Sequence, residues 1–160
     1  IIVISCNLFS DEVHLNEGQL APDFTLFDQD GTPHTLSLYK GKKVVIYFYP
    51  KDDTPGCTKQ ACSIRDSYDD FTNQDIEVFG ISYDNSETHQ QFIQKYKLPF
   101  NLLSDSDKSV SQLYGTKGAF FPVRKTFLID ESGKILKIYD QVSVLDHGND
   151  ILRDFNIEKN

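Results

Sequence analysis

Two cysteines five residues apart, Cys57 and Cys62, stand in the run Tyr49-Pro50-Lys51-Asp52-Asp53-Thr54-Pro55-Gly56-Cys57-Thr58-Lys59-Gln60-Ala61-Cys62. Thr54 is a residue type preferred at a helix N-cap. Pro55 suits the first helical position, where a missing N–H costs nothing. Cys57 then falls at the third position, where a capping box carries Glu or Gln facing free backbone N–H groups. A helix N-terminus carries about +0.5 of partial charge. Such charge favours a thiolate, the nucleophilic form of cysteine. The Thr54 hydroxyl is close enough in sequence to reach the sulfur or a reacting oxygen. Taken alone, Cys57 reads equally well as a small apolar core residue.

Cys62 changes the weighing. Residues five apart on a helix lie about 140° apart around it and ~7.5 Å apart along it, so their Cα atoms are roughly 8–9 Å apart. A disulfide needs about 4.4–6.8 Å. The two cysteines therefore join only if the first turns of the helix unwind, which makes the segment a redox switch. A Cys-x-x-Cys redox pair is absent. His14, His34, His89 and His147 are scattered without metal-ligand spacing, and each reads as a surface or hydrogen-bonded histidine.

The elements that must position this segment are legible on either side. Val44–Tyr49 is a continuous apolar, β-branched run, as in a strand buried on both faces. A helix is expected from Thr54-Pro55 to about Phe71. Its apolar residues Cys57, Ala61, Ile64, Tyr68 and Phe71 step by four and three along one face. Short strands are expected at Asp23–Leu26 and Thr35–Leu38, and a second buried strand at Ile76–Tyr83. Ser86 reads as the N-cap of a helix to about Tyr96. A strand at Asn101–Ser104 and a short helix at Asp107–Tyr114 follow. Lys125–Asp130 and Lys134–Tyr139 form a hairpin through Asp130-Glu131-Ser132-Gly133, and His147–Phe155 is the last helix. This alternation predicts an α/β protein with a thioredoxin-like fold, a central mixed β-sheet flanked by helices. The chemistry then lies at the carboxyl end of a central strand, where open α/β sheets build their sites.

The chain has 160 residues, 39% hydrophobic and 25% charged, with a net charge of −8. That suits one domain, read as residues 18–160 behind an N-terminal extension of residues 1–17. The acidity argues against nucleic acid and anionic lipid as partners, and no apolar run reaches the ~20 residues of a membrane span. A cytoplasmic location is expected. Val3-Ile4-Ser5-Cys6 resembles a lipobox, which gives an exported or lipid-anchored alternative through Cys6. Without a basic flank the run reads instead as a short strand or ragged extension with a spectator cysteine.

At the cysteine segment the chain resembles the peroxiredoxin family. The signature Pro-x-x-x-Thr-x-x-Cys is read as Pro50, Thr54 and Cys57. The longer string Tyr49–Thr58 with Ala61-Cys62 is similar to the Q-type, or bacterioferritin-comigratory-protein, branch. The similarity continues in Gly18-x-x-Ala21-Pro22-Asp23-Phe24 and in Arg124-Lys125-Thr126-Phe127-Leu128-Ile129-Asp130, and covers about residues 18–157. Glu or Gln is usual in the branch where Gln60 stands.

The resemblance implies roles. Cys57 matches the peroxidatic cysteine and Cys62 the resolving cysteine of the branch that carries it in the same helix. Thr54 matches the residue that hydrogen-bonds sulfur and peroxide. Pro50 matches the wall that keeps water from the pocket, and Arg124 the arginine beside the thiolate. On sequence alone Arg124 would read as a surface residue. The implied activity is reduction of hydrogen peroxide and organic hydroperoxides through a Cys57 sulfenic acid and an intramolecular disulfide. Thioredoxin or a glutaredoxin-like dithiol recycles it, no metal, haem or flavin is needed, and the chain works as a monomer. Three rival readings remain at this point: a thiol switch without peroxidase activity, a disulfide reductase or copper chaperone, and a domain whose cysteines are merely structural.

Overall fold

Every side chain from Lys43 to Phe48 is buried, and the sheet is built outward from this strand. The computed structural model describes residues 13–156. Among them run strands β1 (Thr25–Asp28), β2 (Pro33–Thr35), β3 (Lys43–Phe48), β4 (Ile76–Ser82), β5 (Asn101–Ser104), β6 (Lys125–Ile129) and β7 (Ile135–Tyr139). The helices are α1 (Pro55–Asp66), α2 (Tyr68–Asn73), α3 (Ser86–Tyr96), α4 (Ser109–Leu113) and α5 (His147–Asn156). The sheet order is β2-β1-β5-β4-β3-β6-β7. β3 pairs parallel with β4 and antiparallel with β6. The sheet is thus mixed and flanked by helices, the α/β architecture expected from the sequence.

Alternation along β3 splits the core in two. Val45 and Tyr47, with Tyr49 just beyond the strand, pack with Cys57, Ala61 and Ile64 of α1, Phe71 of α2, Phe92 of α3, and Ile151 and Phe155 of α5. Val44, Ile46 and Phe48 face the other way, onto Phe24, Leu36, Val110, Tyr114 and Phe127. The chain leaves β3 after Phe48 and enters α1 at Pro55, so the loop between them lies at the sheet's centre.

Three expected elements differ in detail. The strand expected at Thr35–Leu38 is a single 3₁₀ turn, Leu36–Tyr39. Leu36 and Leu38 alternate like a strand, but the turn buries Leu36 and leaves Leu38 81% exposed. The helix expected to run to Phe71 breaks at Ser67, which is buried where α5 crosses. There the Gly148 N–H donates to Ser63 Oγ (2.9 Å). A Cβ on Gly148 would sit 2.4 Å from the Ser63 carbonyl and 2.7 Å from Ser67 Oγ, so this contact requires glycine. Asn85, not Ser86, caps α3, its side chain accepting from the Thr88 N–H (2.9 Å). The Val3–Cys6 motif lies outside the described residues. No helix among the described residues is long and apolar enough to cross a membrane.

Candidate active site

Thr54 is extended (φ −96°, ψ 156°) and Pro55 opens α1, so the chain turns into helix where Pro55 already fixes φ. The Thr54 carbonyl accepts from the Thr58 N–H (2.8 Å). Cys57 lies on the first turn, 1% exposed, with its sulfur at the positive end of the helix. Arg124, immediately before β6, extends to the same point. Its Nη2 donates to Cys57 Sγ at 3.2 Å, and its Nη1 donates to Gln60 Oε1. Residues 67 positions apart thereby meet because β6 is hydrogen-bonded beside β3. Gly56 leaves room for the approach, since a Cβ there would stand 3.2 Å from Arg124 Nη2, tighter than an ordinary contact.

Gln60 has no assigned role in the sequence reading, yet it is fully buried on the Cys57 face of α1. One turn beyond Cys57, it holds one prong of the guanidinium while the other faces sulfur. A polar residue inside the stripe Cys57, Ala61, Ile64 was the available signal.

The Thr54 hydroxyl is expected at the sulfur or at a reacting oxygen. It donates instead to the Lys51 carbonyl (2.8 Å). Pro50 is half-buried at the start of the same loop. Cys62 lies on the unbroken helix, half-buried, and both thiols are free. Burial pushes the Cys62 thiol up, the Arg65 charge opposes this and the Asp66 charge adds to it. In the helical state this burial favours the thiol over the thiolate at Cys62.

His147 reads from the sequence as a surface or hydrogen-bonded histidine, and it is the latter. It is fully buried at the start of α5, with Nε2 2.8 Å from Thr126 Oγ1. Burial first, and the Arg124 charge second, push it down to about 4 from an ordinary 6.5. The unfolded chain therefore binds a proton between those values that the folded chain refuses. Stability is complete above pH 6.5 and is lost as the pH falls toward 4, by about 3 kcal/mol at most. Urea midpoints measured across this range should fall in the native chain and fall less in His147→Gln.

Residues 18–138 match the AhpC/TSA family. The chain is 50% identical over 129 residues to the chloroplastic peroxiredoxin Q of Sedum lineare, covering 79% of this chain and 69% of that one. It is 53% identical over 129 residues to the chloroplastic peroxiredoxin Q of Arabidopsis thaliana, covering 79% of this chain and 60% of that one. Several such plant relatives are thus matched over less than two thirds of their own length. Among solved structures, the peroxidoxin BcpB of Mycobacterium tuberculosis superposes with a TM-score of 0.84 at 34% identity, over 90% of this chain and 98% of that chain. A cysteine mutant of Xylella fastidiosa PrxQ gives 0.85 at 28% identity, over 92% and 99%. The cytoplasmic expectation is overturned here. The plant relatives are chloroplastic, which runs against a cytoplasmic reading. Net charge and hydropathy describe a folded domain and carry no record of the compartment that receives it.

Proposed function

Because the chain belongs to the AhpC/TSA family, with peroxiredoxin Q proteins among its relatives, we propose that it is a thiol-dependent peroxidase that reduces hydroperoxides through Cys57. One observation supports the assignment of roles most strongly. A buried sulfur sits at the N-terminus of α1 with a guanidinium nitrogen 3.2 Å away.

In this reading the Cys57 thiolate attacks one peroxide oxygen and the O–O bond breaks. Sulfur is oxidised to sulfenic acid, and the departing oxygen leaves with the electron pair, takes a proton and becomes water or an alcohol. Arg124 and the backbone N–H groups of the first turn of α1 stabilise the charge that grows on that oxygen. Pro50 closes the loop side of the site, and the Thr54 hydroxyl turns from the Lys51 carbonyl to the bound peroxide. Helix α1 then unwinds. The Cys62 thiol attacks the Cys57 sulfur, water leaves, and a disulfide closes within one chain, so a monomer completes the cycle. Thioredoxin or a glutaredoxin-like dithiol returns both cysteines to thiols by exchange.

The test is consumption of hydrogen peroxide and of an organic hydroperoxide coupled to oxidation of reduced thioredoxin. Native protein should turn over continuously. Cys62→Ser should consume one equivalent at the native rate without continuous turnover, and under excess peroxide a second, slower equivalent should take Cys57 on to sulfinic acid. Continuous thioredoxin-coupled turnover by Cys62→Ser would remove the disulfide from the cycle.

A further inference from the structure

We propose that Asp52 and His89 are a positioning pair that holds the loop entering α1 in register for peroxide attack and keeps it there while α1 unwinds. The proposal deepens the peroxidase reading above and rests on it. The loop from Tyr49 to Thr54 carries Pro50 and Thr54 and leads to Cys57; at its ends the Tyr49 N–H donates to the Ile81 carbonyl (3.1 Å) and the Thr54 carbonyl accepts from the Thr58 N–H (2.8 Å), while residues 50–53 between them belong to no helix or strand. Its place is set by side chains. Asp52 is 9% exposed and His89 is fully buried. The Asp52 carboxylate accepts from the Tyr49 hydroxyl at Oδ1, while its Oδ2 lies 2.7 Å from His89 Nδ1 and 3.2 Å from the Thr88 hydroxyl. Burial, then the Asp52 charge, hold the Tyr49 phenol well above its ordinary range, so it remains a donor. On the other side of the ring, His89 Nε2 is 3.1 Å from the Leu103 carbonyl, which can only accept, so that nitrogen carries a proton.

The anchoring continues on both sides of the carboxylate. The Asp52 N–H donates to Asp84 Oδ2 (2.9 Å), which also accepts from the Ser82 hydroxyl (2.8 Å). The next residue, Asp53, is held at φ 55°, a strained value for a side-chain-bearing residue. Its carboxylate takes Lys95 Nζ and the Tyr96 hydroxyl, both at 2.8 Å. Apart from Tyr49, which follows β3, these partners lie at or just beyond the end of β4, on α3 and on β5. None of them belongs to α1. The loop is therefore tied to the part of the molecule that stays folded when the peroxidatic helix melts. Release of α1 leaves the entry point intact, ready to rebuild the helix once the disulfide is reduced. A misplacement of about 1 Å can cost 10²-fold in rate, so slackening this loop acts on peroxide attack. It acts far less on disulfide closure, which uses the unwound helix.

Stopped-flow separates the two steps on the full-length reduced chain mixed with hydrogen peroxide, with rates expressed per titrated native thiol. Asp52→Ala and His89→Ala should slow Cys57 oxidation, the former about 100-fold, with disulfide closure changed less than about threefold. Asp52→Asn keeps the volume, still accepts from Tyr49 and can donate to His89 Nδ1, so it should recover to within about threefold of native. Tyr49→Phe removes one hydroxyl from a buried ring and keeps the test open if an alanine variant does not fold. It should be about tenfold slower in the first step, the loss of one buried hydrogen bond. Folded variants that oxidise at the native rate, or that slow both steps alike, overturn the proposal. A native chain that ignores peroxide sinks the peroxidase reading itself and this proposal with it.

Discussion

Cys57→Ser should leave a folded protein that consumes no peroxide, a loss on the order of 10⁴-fold or more, as for other enzymes stripped of their covalent nucleophile. The substitution is nearly isosteric, so Val45, Tyr47 and Ala61 keep a neighbour of the same shape in the core that Cys57 shares with them. What is lost is chemical. A serine hydroxyl is a poor nucleophile without an adjacent base, and its oxygen forms no counterpart of a sulfenic acid. Thermal unfolding checks that the fold is retained, and a peroxide electrode follows consumption. Turnover by this variant would remove Cys57 from the centre of the reaction.

The second large effect belongs to Arg124. One prong of its guanidinium faces Sγ and the other is held by Gln60, which is fully buried. Removing a single preorganised donor from such a site costs about 10²–10³-fold. Arg124→Ala should therefore lower the second-order rate with hydrogen peroxide by about that factor. Arg124→Lys restores a positive charge but not the planar fork that reaches sulfur and Gln60 together, so it should regain only part of the loss. Stopped-flow kinetics under excess peroxide read both values. A native rate in Arg124→Ala would mean that the 3.2 Å contact with sulfur has no catalytic consequence.

Much of this arrangement is legible in the sequence. The apolar run of β3, the Thr-Pro helix start and the five-residue cysteine spacing each have a local physical cause. Local causes can be read from neighbouring residues. The Cys62 constraint is of the same kind, because it needs only the dimensions of a helix. What could not be read locally depends on the packing of distant segments. Arg124 could be brought to Cys57 only by resemblance, since sixty-seven residues and the β3–β6 pairing separate spacing from contact. The break at Ser67 was hidden because the four-and-three apolar step continues into α2 while α5 imposes the corner from outside. His89 read as a surface or hydrogen-bonded histidine. It is the latter, and its partners Asp52 and Leu103 lie on other elements. The Thr54 hydroxyl differs again, since it donates to the nearby Lys51 carbonyl, a partner the motif does not announce.

The whole account turns on which sulfur meets peroxide and which one answers it. The direct measurement is peptide mapping by mass spectrometry after one equivalent of hydrogen peroxide is added to the fully reduced chain. The predicted product is a single disulfide between positions 57 and 62, passing through a sulfenic acid at 57 that can be trapped at early times. Oxidation that begins at 62, or thiols at both positions after the peroxide has been consumed, would contradict it.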